Sequence, residues 1–403
     1  MGEWKEYKLG EVCAISSSKR IFANEYQNTG IPFYRGKEII EKHNGANISN
    51  ELFISEEKYN EIKTKFGAPK KGDMLLSSVG TLGVPYIVRD ETFYFKDGNL
   101  TWFYNYKGIN NYFLYYWFLS PKARFYIDTK AIGSTQKALT IETLKKFEIF
   151  LPSIDTQDKI VAILKSLDDK IEVNRKINEN LEQQAQALFK SWFVDFEPFK
   201  NGEFVESELG MIPKGWRVGK LNEIADITMG TSPSGSSYNT EGIGDVFYQG
   251  RAEFGFRFPK RNMYTTEAKR FAEVDTVLVS VRAPVGDINV AEERCCIGRG
   301  LASVKSKNNY NSYILYLMQS LKNVFDRFNG EGTVFGSINK KAFEEMQIIV
   351  PTGNVISKFD SIASSMDCQI KRTEQQSRRL AELRDTLLPK LMSGELKVNE
   401  IVI

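Results

Sequence analysis

The stretch GSTQKALTIETLKKFEIFLP occupies residues 133–152, and a related stretch, GTVFGSINKKAFEEMQIIVP, occupies residues 332–351. Working outward from this pair, three further pairs follow the same order in both halves of the chain: WKEYKLGEVCAI from Trp4 with WRVGKLNEIADI from Trp216, FYRGK from Phe33 with FYQGR from Phe247, and GDMLLSSVGTLG from Gly72 with VDTVLVSVRAPVG from Val274. Matches spread over almost the whole length predict two tandem copies of one structural unit.

Composition limits the class of protein. With 403 residues, of which 42% are hydrophobic and 26% charged, the chain is typical of soluble globular proteins and has room for two or three domains. Its 54 basic and 51 acidic side chains give a net charge of only +3, so a positive binding surface must be local. No stretch has the length of a signal peptide or a membrane helix, and we expect a cytoplasmic protein without membrane contact.

Residues that carry metal or catalytic chemistry are scarce. The four cysteines form no C-x-x-C pair and His43 is the single histidine, which argues against a zinc site and a disulfide framework. His43 itself is expected at the surface. We find no phosphate-binding glycine loop, no nucleophile elbow and no amino-methyltransferase tetrapeptide, so the chain is predicted to be non-catalytic.

Each copy has a front part and a back part. The front parts contain short runs rich in branched and aromatic residues, broken by glycine, proline and asparagine, which predict compact α+β domains. The back parts follow the three- and four-residue spacing of a coiled-coil seam. The seam residues are Ile160, Leu164, Leu167, Ile171, Asn174, Asn178 and Leu181 in the first copy, and Phe359, Met366, Ile370, Thr373, Ser377 and Leu380 in the second.

Polar seam residues fall at matching levels in the two helices, which indicates that the helices pair with each other. Asp155 and Asn354 are the predicted N-caps, and Pro389 is expected to end or kink the second helix. A helix of about 35 to 38 residues is roughly 50 to 57 Å long. If a pseudo-twofold axis relates the copies, the helices are antiparallel and separate the domains by at least one turn of B-DNA, about 34 Å.

The predicted fold class is therefore α+β, with two tandem domains separated by two long antiparallel helices. The predicted segments are a first domain at 1–152, a spacer helix at 153–195, a linker at 196–212, a second domain at 213–351, a spacer helix at 352–392 and a tail at 393–403.

Four segments resemble the specificity subunit of type I restriction-modification systems, in that family's order: ALFKSWFVDFEPF (187–199), IPKGWRVGKLNEIADITMGTSP (212–233), the repeated 133–152 block, and LRDTLLPKLMSGELKV (383–398). The resemblance implies that each domain is a target recognition domain for one half of a bipartite, asymmetric double-stranded DNA sequence. It also implies two modification subunits, which methylate adenine with S-adenosylmethionine, and two restriction subunits, which use ATP and Mg²⁺. The chain itself would bind no cofactor.

Candidate DNA-contacting residues are polar or basic side chains in loops with glycine or other small residues, and basic side chains interleaved with aromatic ones in FRFPKRNMY (256–264), as in phosphate-binding loops. Arginine can bond guanine, glutamine can bond adenine, and lysine suits phosphate. The candidates are Arg35, Lys37, Ser78, Thr81, Ser134, Thr135, Gln136 and Lys137 in the first copy, and Thr231, Ser232, Ser234, Gln249, Arg251, Arg257, Lys260, Arg261, Arg282, Arg299 and Thr333 in the second. The alternative for each is an ordinary surface turn with solvated charges.

Two other functions stay open on the sequence. An enzyme with a site in each domain would need catalytic groups at matching positions, but the matched positions are mostly apolar residues, glycines and hydroxyls. A non-catalytic coiled-coil scaffold for protein partners would explain the helices but not the divergent domains. DNA binding with strong salt dependence would distinguish a DNA-recognition protein from both.

Overall fold

The computed structural model describes residues 4–133, 137–329 and 336–398. The chain forms two compact units, of which the first takes in residues 1–173 and 377–403 and the second residues 174–376. Within the described residues no helix is both long enough and apolar enough to span a membrane.

The first domain is built from short strands and short helices and leads into a long helix. Its strands are β1 (Lys5–Lys8), β2 (Ala14–Ser16), β3 (Ile31–Tyr34), β4 (Phe53–Ile54), β5 (Met74–Ser77), β6 (Pro85–Ile87), β7 (Tyr94–Phe95), β8 (Leu100–Tyr104) and β9 (Glu148–Leu151). Its helices are α1 (Leu9–Val12), α2 (Gly36–His43), α3 (Glu56–Phe66), α4 (Asn111–Leu119), α5 (Pro121–Lys130) and α6 (Ile141–Lys145), and the long helix is α7 (Ile154–Phe193).

The second domain repeats this plan and also leads into a long helix. Its strands are β10 (Phe204–Ser207), β11 (Gly210–Pro213), β12 (Arg217–Lys220), β13 (Ala225–Met229), β14 (Tyr238–Asn239), β15 (Asp245–Tyr248), β16 (Tyr264–Thr265), β17 (Phe271–Ala272), β18 (Val277–Val281), β19 (Val285–Val290), β20 (Cys295–Ile297), β21 (Leu301–Ser306) and β22 (Gln347–Val350). Its helices are α8 (Leu221–Ile224), α9 (Asn311–Ser320), α10 (Lys322–Asp326) and α11 (Lys340–Glu344), followed by the long helix α12 (Gly353–Ser393).

The strand order confirms the internal repeat. The first domain has sheets ordered β2-β8-β5-β6, β4-β3-β7 and β1-β9, and the second has β13-β21-β18-β19, β14-β16-β15-β20-β17 and β12-β22. The pairings β3–β7 and β15–β20 are both parallel. Helices α2 and α3 occur in the first domain, whereas the extra strands β14 and β17 occur in the second. The two copies thus share a frame and differ in the elements added to it.

The central strand of each domain lies between two hydrophobic cores. In β5, Met74 and Leu76 face one core and Leu75 faces another. In β18, Val277 and Val279 face one core and Leu278 the other. Successive side chains of a strand point to opposite faces, so a strand covered on both faces needs an unbroken apolar run. The runs MLL (74–76) and VLV (277–279) have this pattern.

The two long helices are antiparallel within each unit. In the second unit Asn174 Nδ2 donates to Gln376 Oε1 at 2.9 Å, and further along α7 the Phe189 ring lies 5.5 Å from that of Phe359. In the first unit Arg384 Nη1 donates to Asp168 Oδ1 at 2.7 Å. These contacts confirm that the long helices are paired and antiparallel. The strands and helices of the two domains confirm the α+β class.

The predicted seam residues all lie on the buried or half-buried side of their helices. Those that are buried are Ile160, Leu164, Asn174, Asn178, Phe359, Ile370 and Thr373, and those that are half-buried are Leu167, Ile171, Leu181, Met366, Ser377 and Leu380. The Thr373 hydroxyl donates to Asn178 Oδ1 across the helix pair. The polar level of the seam is therefore a contact between the helices.

The structure corrects the predicted N-caps. Ser153 caps α7, because its hydroxyl accepts from the backbone N–H of Thr156 at 3.4 Å, while Asp155 lies in the first turn and pairs with Lys159. Helix α12 begins one residue before Asn354, at Gly353.

The structure also corrects the predicted surface position of His43 and the alternative in which Pro389 ends the second helix, while a kink at Pro389 stays a prediction. Helix α12 continues through Pro389 to Ser393, where Gly394 adopts a φ of +76°. The ring of His43 is partly buried, and its Nδ1 lies 2.8 Å from the carbonyl oxygen of Pro85.

Candidate nucleic-acid interface

Three loops of the second domain meet where β15, β18 and β20 end. The turn after β20 bonds to the end of β15, since Gly298 N–H donates to Tyr248 O at 2.8 Å and Gly300 N–H donates to Gln249 O at 3.2 Å. The same turn joins the end of β18, where Val281 N–H donates to Gly300 O at 2.9 Å. A Cβ added to Gly298 would lie 2.7 Å from Gln249 Oε1 and 2.9 Å from Gln249 Cα in the backbone, so only glycine fits this approach.

The Gln249 side chain is fixed at this junction. The Ser232 hydroxyl lies 3.0 Å from Nε2 and 3.1 Å from Oε1 of Gln249, and it accepts from the backbone N–H of Arg299 at 3.1 Å. One small-residue loop, one strand end and one turn thereby hold a half-buried amide, which has further hydrogen-bonding capacity beyond its contacts with Ser232.

Basic side chains surround the junction. Arg251 is half exposed and pairs with Asp287 at 2.5 Å, and Arg282 and Arg299 are exposed. Arg282 also forms a β-bridge with Ser337. The structure brings together Ser232, Gln249, Arg251, Arg282 and Arg299, which the sequence proposed from four separate motifs. We call this set the domain 2 loop cluster.

The first domain builds the same junction from the matching loops. Lys96 N–H donates to Tyr34 O, and Ser78 N–H donates to Asn99 O, each at 2.8 Å. These two bonds correspond to those from Gly298 and Val281 in the second domain.

A cavity of about 470 Å³ opens at the junction of the first domain. Its lining includes Arg20, Phe22, Val79, Lys96 and Asn99, and Arg20 Nε donates to Asp97 Oδ2 at 2.8 Å. We call Arg20, Lys96 and Asn99, together with Lys37, the domain 1 loop cluster.

Sequence reasoning missed Arg20 and Lys96. Neither lies in a glycine-rich or duplicated motif. Arg20 could have been identified from the repeat, because extending the match that begins at Trp4 and Trp216 aligns Arg20 with Ser232.

Arg35 and Lys37 have different environments although they are two residues apart. Arg35 immediately precedes α2, where Glu38, whose side chain is 1% exposed, bonds its backbone N–H at 2.7 Å and its Nη2 at 2.5 Å. The hydrogen bond that the Arg35 guanidinium donates to Glu38 also raises the pKa of Arg35. Lys37 is exposed and lies 3.8 Å from Glu41. Lys37 is therefore the more accessible cation of the pair.

Two predicted DNA contacts are wrong because their side chains are buried and already bonded. The Ser78 side chain is buried and its hydroxyl lies 2.6 Å from Thr101 Oγ1. Arg257 is 4% exposed, so this basic residue of the 256–264 loop lies inside the protein and not at its surface.

Arg257 instead joins its domain to segments of both long helices in the same unit. Nη1 donates to Asp367 Oδ1 on α12 at 2.5 Å, Nη2 bonds Glu182 on α7, and Nη2 lies 3.2 Å from the Tyr316 hydroxyl on α9. We call these four residues the Arg257 cluster.

The Tyr–Asp part of this cluster occurs in both units. Tyr316 OH donates to Asp367 Oδ1 at 2.7 Å, and Tyr116 OH donates to Asp168 Oδ2 at 2.6 Å. The arginine that bonds the aspartate differs in origin, since Arg384 on α12 bonds Asp168 in the first unit, whereas Arg257 of the domain itself bonds Asp367 in the second. A tyrosine–carboxylate bond thus attaches each domain to its helices, while the arginine joins the two helices in the first unit and the domain to the helices in the second.

The other candidates have surface positions. Thr81, Lys137, Thr231, Ser234 and Lys260 are exposed, and Arg261 pairs with Glu293 at 2.6 Å. Ser134, Thr135, Gln136 and Thr333 lie outside the described residues. Direct DNA contact by any of the exposed residues stays a prediction.

Similarity to known proteins supplies a second line of evidence. The family model described as type I restriction modification DNA specificity domain matches residues 1–183 and 213–375. The putative type I restriction enzyme MjaX specificity subunit of Methanocaldococcus jannaschii is 32% identical over 277 residues, which cover 68% of this chain and 64% of that protein. The MjaIX specificity subunit of the same organism is 31% identical over 313 residues, covering 73% and 71% of the two chains.

A solved structure has the same fold. The S subunit of a type I restriction-modification system from M. genitalium aligns over 97% of this chain and 96% of its own, with a TM-score of 0.60 and 18% identity.

Proposed function

We propose, because this chain belongs to the type I restriction modification DNA specificity family, that each of its domains recognises one half of a bipartite, asymmetric duplex DNA target. The observation that carries the proposal is the loop junction, which is built twice from equivalent strand ends but bears different polar groups. A shared frame with different side chains is what recognition of two unlike sequences requires.

The two loop clusters support unlike half-targets. Gln249 is pre-positioned by Ser232, and a glutamine amide can bond adenine through two hydrogen bonds in the major groove. At the matching position Arg35 is neutralised by Glu38, so Arg20, Lys37 and Lys96 supply the accessible positive charge of the first domain. The second domain places Arg251, Arg282 and Arg299 around its amide, where phosphates and guanines are the fitting partners.

The chain acts, in this proposal, without catalysis or a cofactor of its own. Two modification subunits methylate adenine with S-adenosylmethionine, and two restriction subunits add nuclease and translocase activity that depends on ATP and Mg²⁺. The paired helices α7 and α12 set the length of the unspecified gap between the half-targets and provide the docking surface for the modification subunits.

Modified-base sequencing tests the proposal. Cells that express the chain with its cognate modification subunit are compared with cells that lack only this chain. We expect a two-part adenine-methylation motif with a fixed gap and two unlike halves, present only with the chain. If the complex assembles and no motif depends on the chain, the proposal fails and a coiled-coil scaffold for protein partners becomes the better explanation.

Salt dependence of binding provides an independent check. A duplex that carries the motif is titrated at several salt concentrations, and each phosphate neutralised contributes a slope of about −0.9 in a plot of log affinity against log salt concentration. A steep slope supports several phosphate contacts. A flat one contradicts them.

A further inference from the structure

In the repeated pentapeptides FYRGK and FYQGR, contacts within the domain account for the two aromatic residues but not for the glycine. Phe33 and Phe247 are completely buried, and Tyr34 and Tyr248 are 7% and 2% exposed. Packing therefore explains why both copies have the two aromatic residues. Packing does not explain the glycine that follows.

Neither backbone conformation nor packing requires Gly36 or Gly250. Gly36 is the first residue of α2, and Gly250 has an extended backbone with a φ of −166°. A Cβ built on either glycine would meet nothing within 4 Å. Any residue could occupy both positions as far as this chain is concerned.

At another pair of matched positions, both backbone conformation and packing require glycine. Gly83 and Gly286 have φ values of +74° and +93°, and a Cβ there would lie 2.3 Å from Ile127 and 2.4 Å from Phe325. The contrast shows what an internally required glycine looks like in this fold.

We infer that Gly36 and Gly250 mark the places where the sugar–phosphate backbone of target DNA comes closest to each domain, so that a side chain there is excluded by the DNA. This inference rests on the proposed function. Exposed cations adjoin both glycines in sequence, as Lys37 and Arg251, and each pentapeptide lies at its loop junction. A bare backbone N–H followed by an exposed cation suits a phosphate, and an approach without Cβ brings the duplex nearer.

The position of the specificity residue follows from this approach. Gln249 directly precedes Gly250, and Ser232 holds its amide in place. If DNA contacts the backbone at Gly250, the groove edge comes within reach of the fixed Gln249 amide. The glycine is thus a positioning residue, and Gln249 is the residue that contacts the base.

Leucine and alanine substitutions at the two glycines test the inference. The variants are Gly36→Ala, Gly36→Leu, Gly250→Ala and Gly250→Leu, made in the full chain and assembled with its modification subunit. Gly353→Leu is the matched control, since Gly353 also begins a helix, also has nothing within 4 Å of a built Cβ, and is replaced by Ile154 in the other copy. Affinity is measured by fluorescence anisotropy with a duplex that carries the methylation motif of the wild type.

We expect the leucine variants to bind the duplex at least about tenfold more weakly, which is a change of about 1.4 kcal/mol. The alanine variants should show a smaller loss, while melting temperatures and assembly with the modification subunit stay at wild-type values. The Gly353→Leu control should bind DNA like the wild type.

Three results would overturn the inference. If Gly36→Leu and Gly250→Leu bind within about twofold of the wild type, no DNA lies against these glycines. If they bind DNA normally but lose the modification subunit, the glycines face a protein partner. If the wild type itself binds no duplex and yields no motif, the proposed function has failed, and that failure is recognised before any variant is compared.

Discussion

At the scale of single residues, the surroundings of a side chain decide its role, and Arg257 and Arg261 show this within one loop. Arg257 is 4% exposed between Glu182 and Asp367, whereas Arg261 pairs with Glu293 at a surface where its side chain is 52% exposed. A buried cation between two carboxylates is strongly coupled to the fold, while an exposed ion pair contributes little.

Replacing Arg257 with methionine should therefore destabilise the unit formed by residues 174–376. The substitution leaves the carboxylates of Glu182 and Asp367 largely buried without their cation, at a cost of about 3 to 5 kcal/mol. Arg261→Met, four residues away, should cost at most about 1 kcal/mol. Denaturant unfolding of both variants measures the difference, and equal losses would contradict the assigned role of the Arg257 cluster.

His43, the single histidine, makes the stability of the first unit depend on pH. His43 lies beside the Tyr115 ring, donates from Nδ1 to the carbonyl oxygen of Pro85, and is near the charges of Asp168 and Arg384. Burial lowers its pKa below the ordinary value, and this effect exceeds the opposing influence of Pro85 and Asp168. The folded chain therefore keeps His43 neutral at a pH where the unfolded chain protonates it.

Stability should consequently fall as the pH drops below about 6.5, the ordinary histidine value. The unfolded state takes up a proton there that the folded state refuses, so the loss continues until the lowered folded pKa is reached. Melting curves of the wild type and His43→Gln between pH 7.5 and 5.5 isolate this contribution. Carboxyls whose pKa is raised by burial, Asp73 and Asp360, are common to both proteins and cancel in the difference. Identical pH profiles would show that His43 contributes nothing.

At the scale of elements, the sequence predicted those helices whose hydrophobic pattern arises from contact with a single partner. The three- and four-residue spacing predicted both long helices and their pairing, because the seam is repeated along a single contact. It did not predict the burial of Phe189 and Phe193, which lie beside the seam positions and pack against Tyr313 of their domain. Near its end α7 buries a second face, and a pattern based on one partner cannot distinguish the two.

The candidate site was predicted in part for the same reason. Gln249, Arg251 and Arg299 were identified from local motifs, but their convergence depends on hydrogen bonds between loops far apart in sequence. The interleaved aromatic and basic residues around Arg257 had the composition of a phosphate-binding loop, yet the carboxylates that neutralise Arg257 come from α7 and α12, at residues 182 and 367. The composition of the loop could be read from the sequence, but the carboxylates that bond Arg257 could be identified only from the fold.

At the scale of the whole chain, the first compact unit is assembled from two separate stretches of sequence, whereas the second is one continuous stretch, residues 174–376. The unit that contains the first domain, residues 1–173, also takes in residues 377–403. Its hydrophobic core includes Leu388, Leu391 and Met392 from the end of α12 together with Ile160 and Leu164 from the start of α7. The first domain is thus completed by residues of the long helix that follows the second domain.

A core substitution near the C-terminus should therefore loosen the N-terminal domain. Leu391 is completely buried, and Leu391→Ala should cost about 2 to 5 kcal/mol. Leu383→Ala, in the same helix but 47% exposed, is the matched control and should change stability by no more than about 0.5 kcal/mol. Hydrogen exchange followed by mass spectrometry should show lost protection in residues 4–173, while residues 174–376 keep theirs, because local opening follows cooperative units and not distance along the chain. Loss confined to the end of α12, with the N-terminal domain fully protected, would mean that the first domain folds without the C-terminal segment.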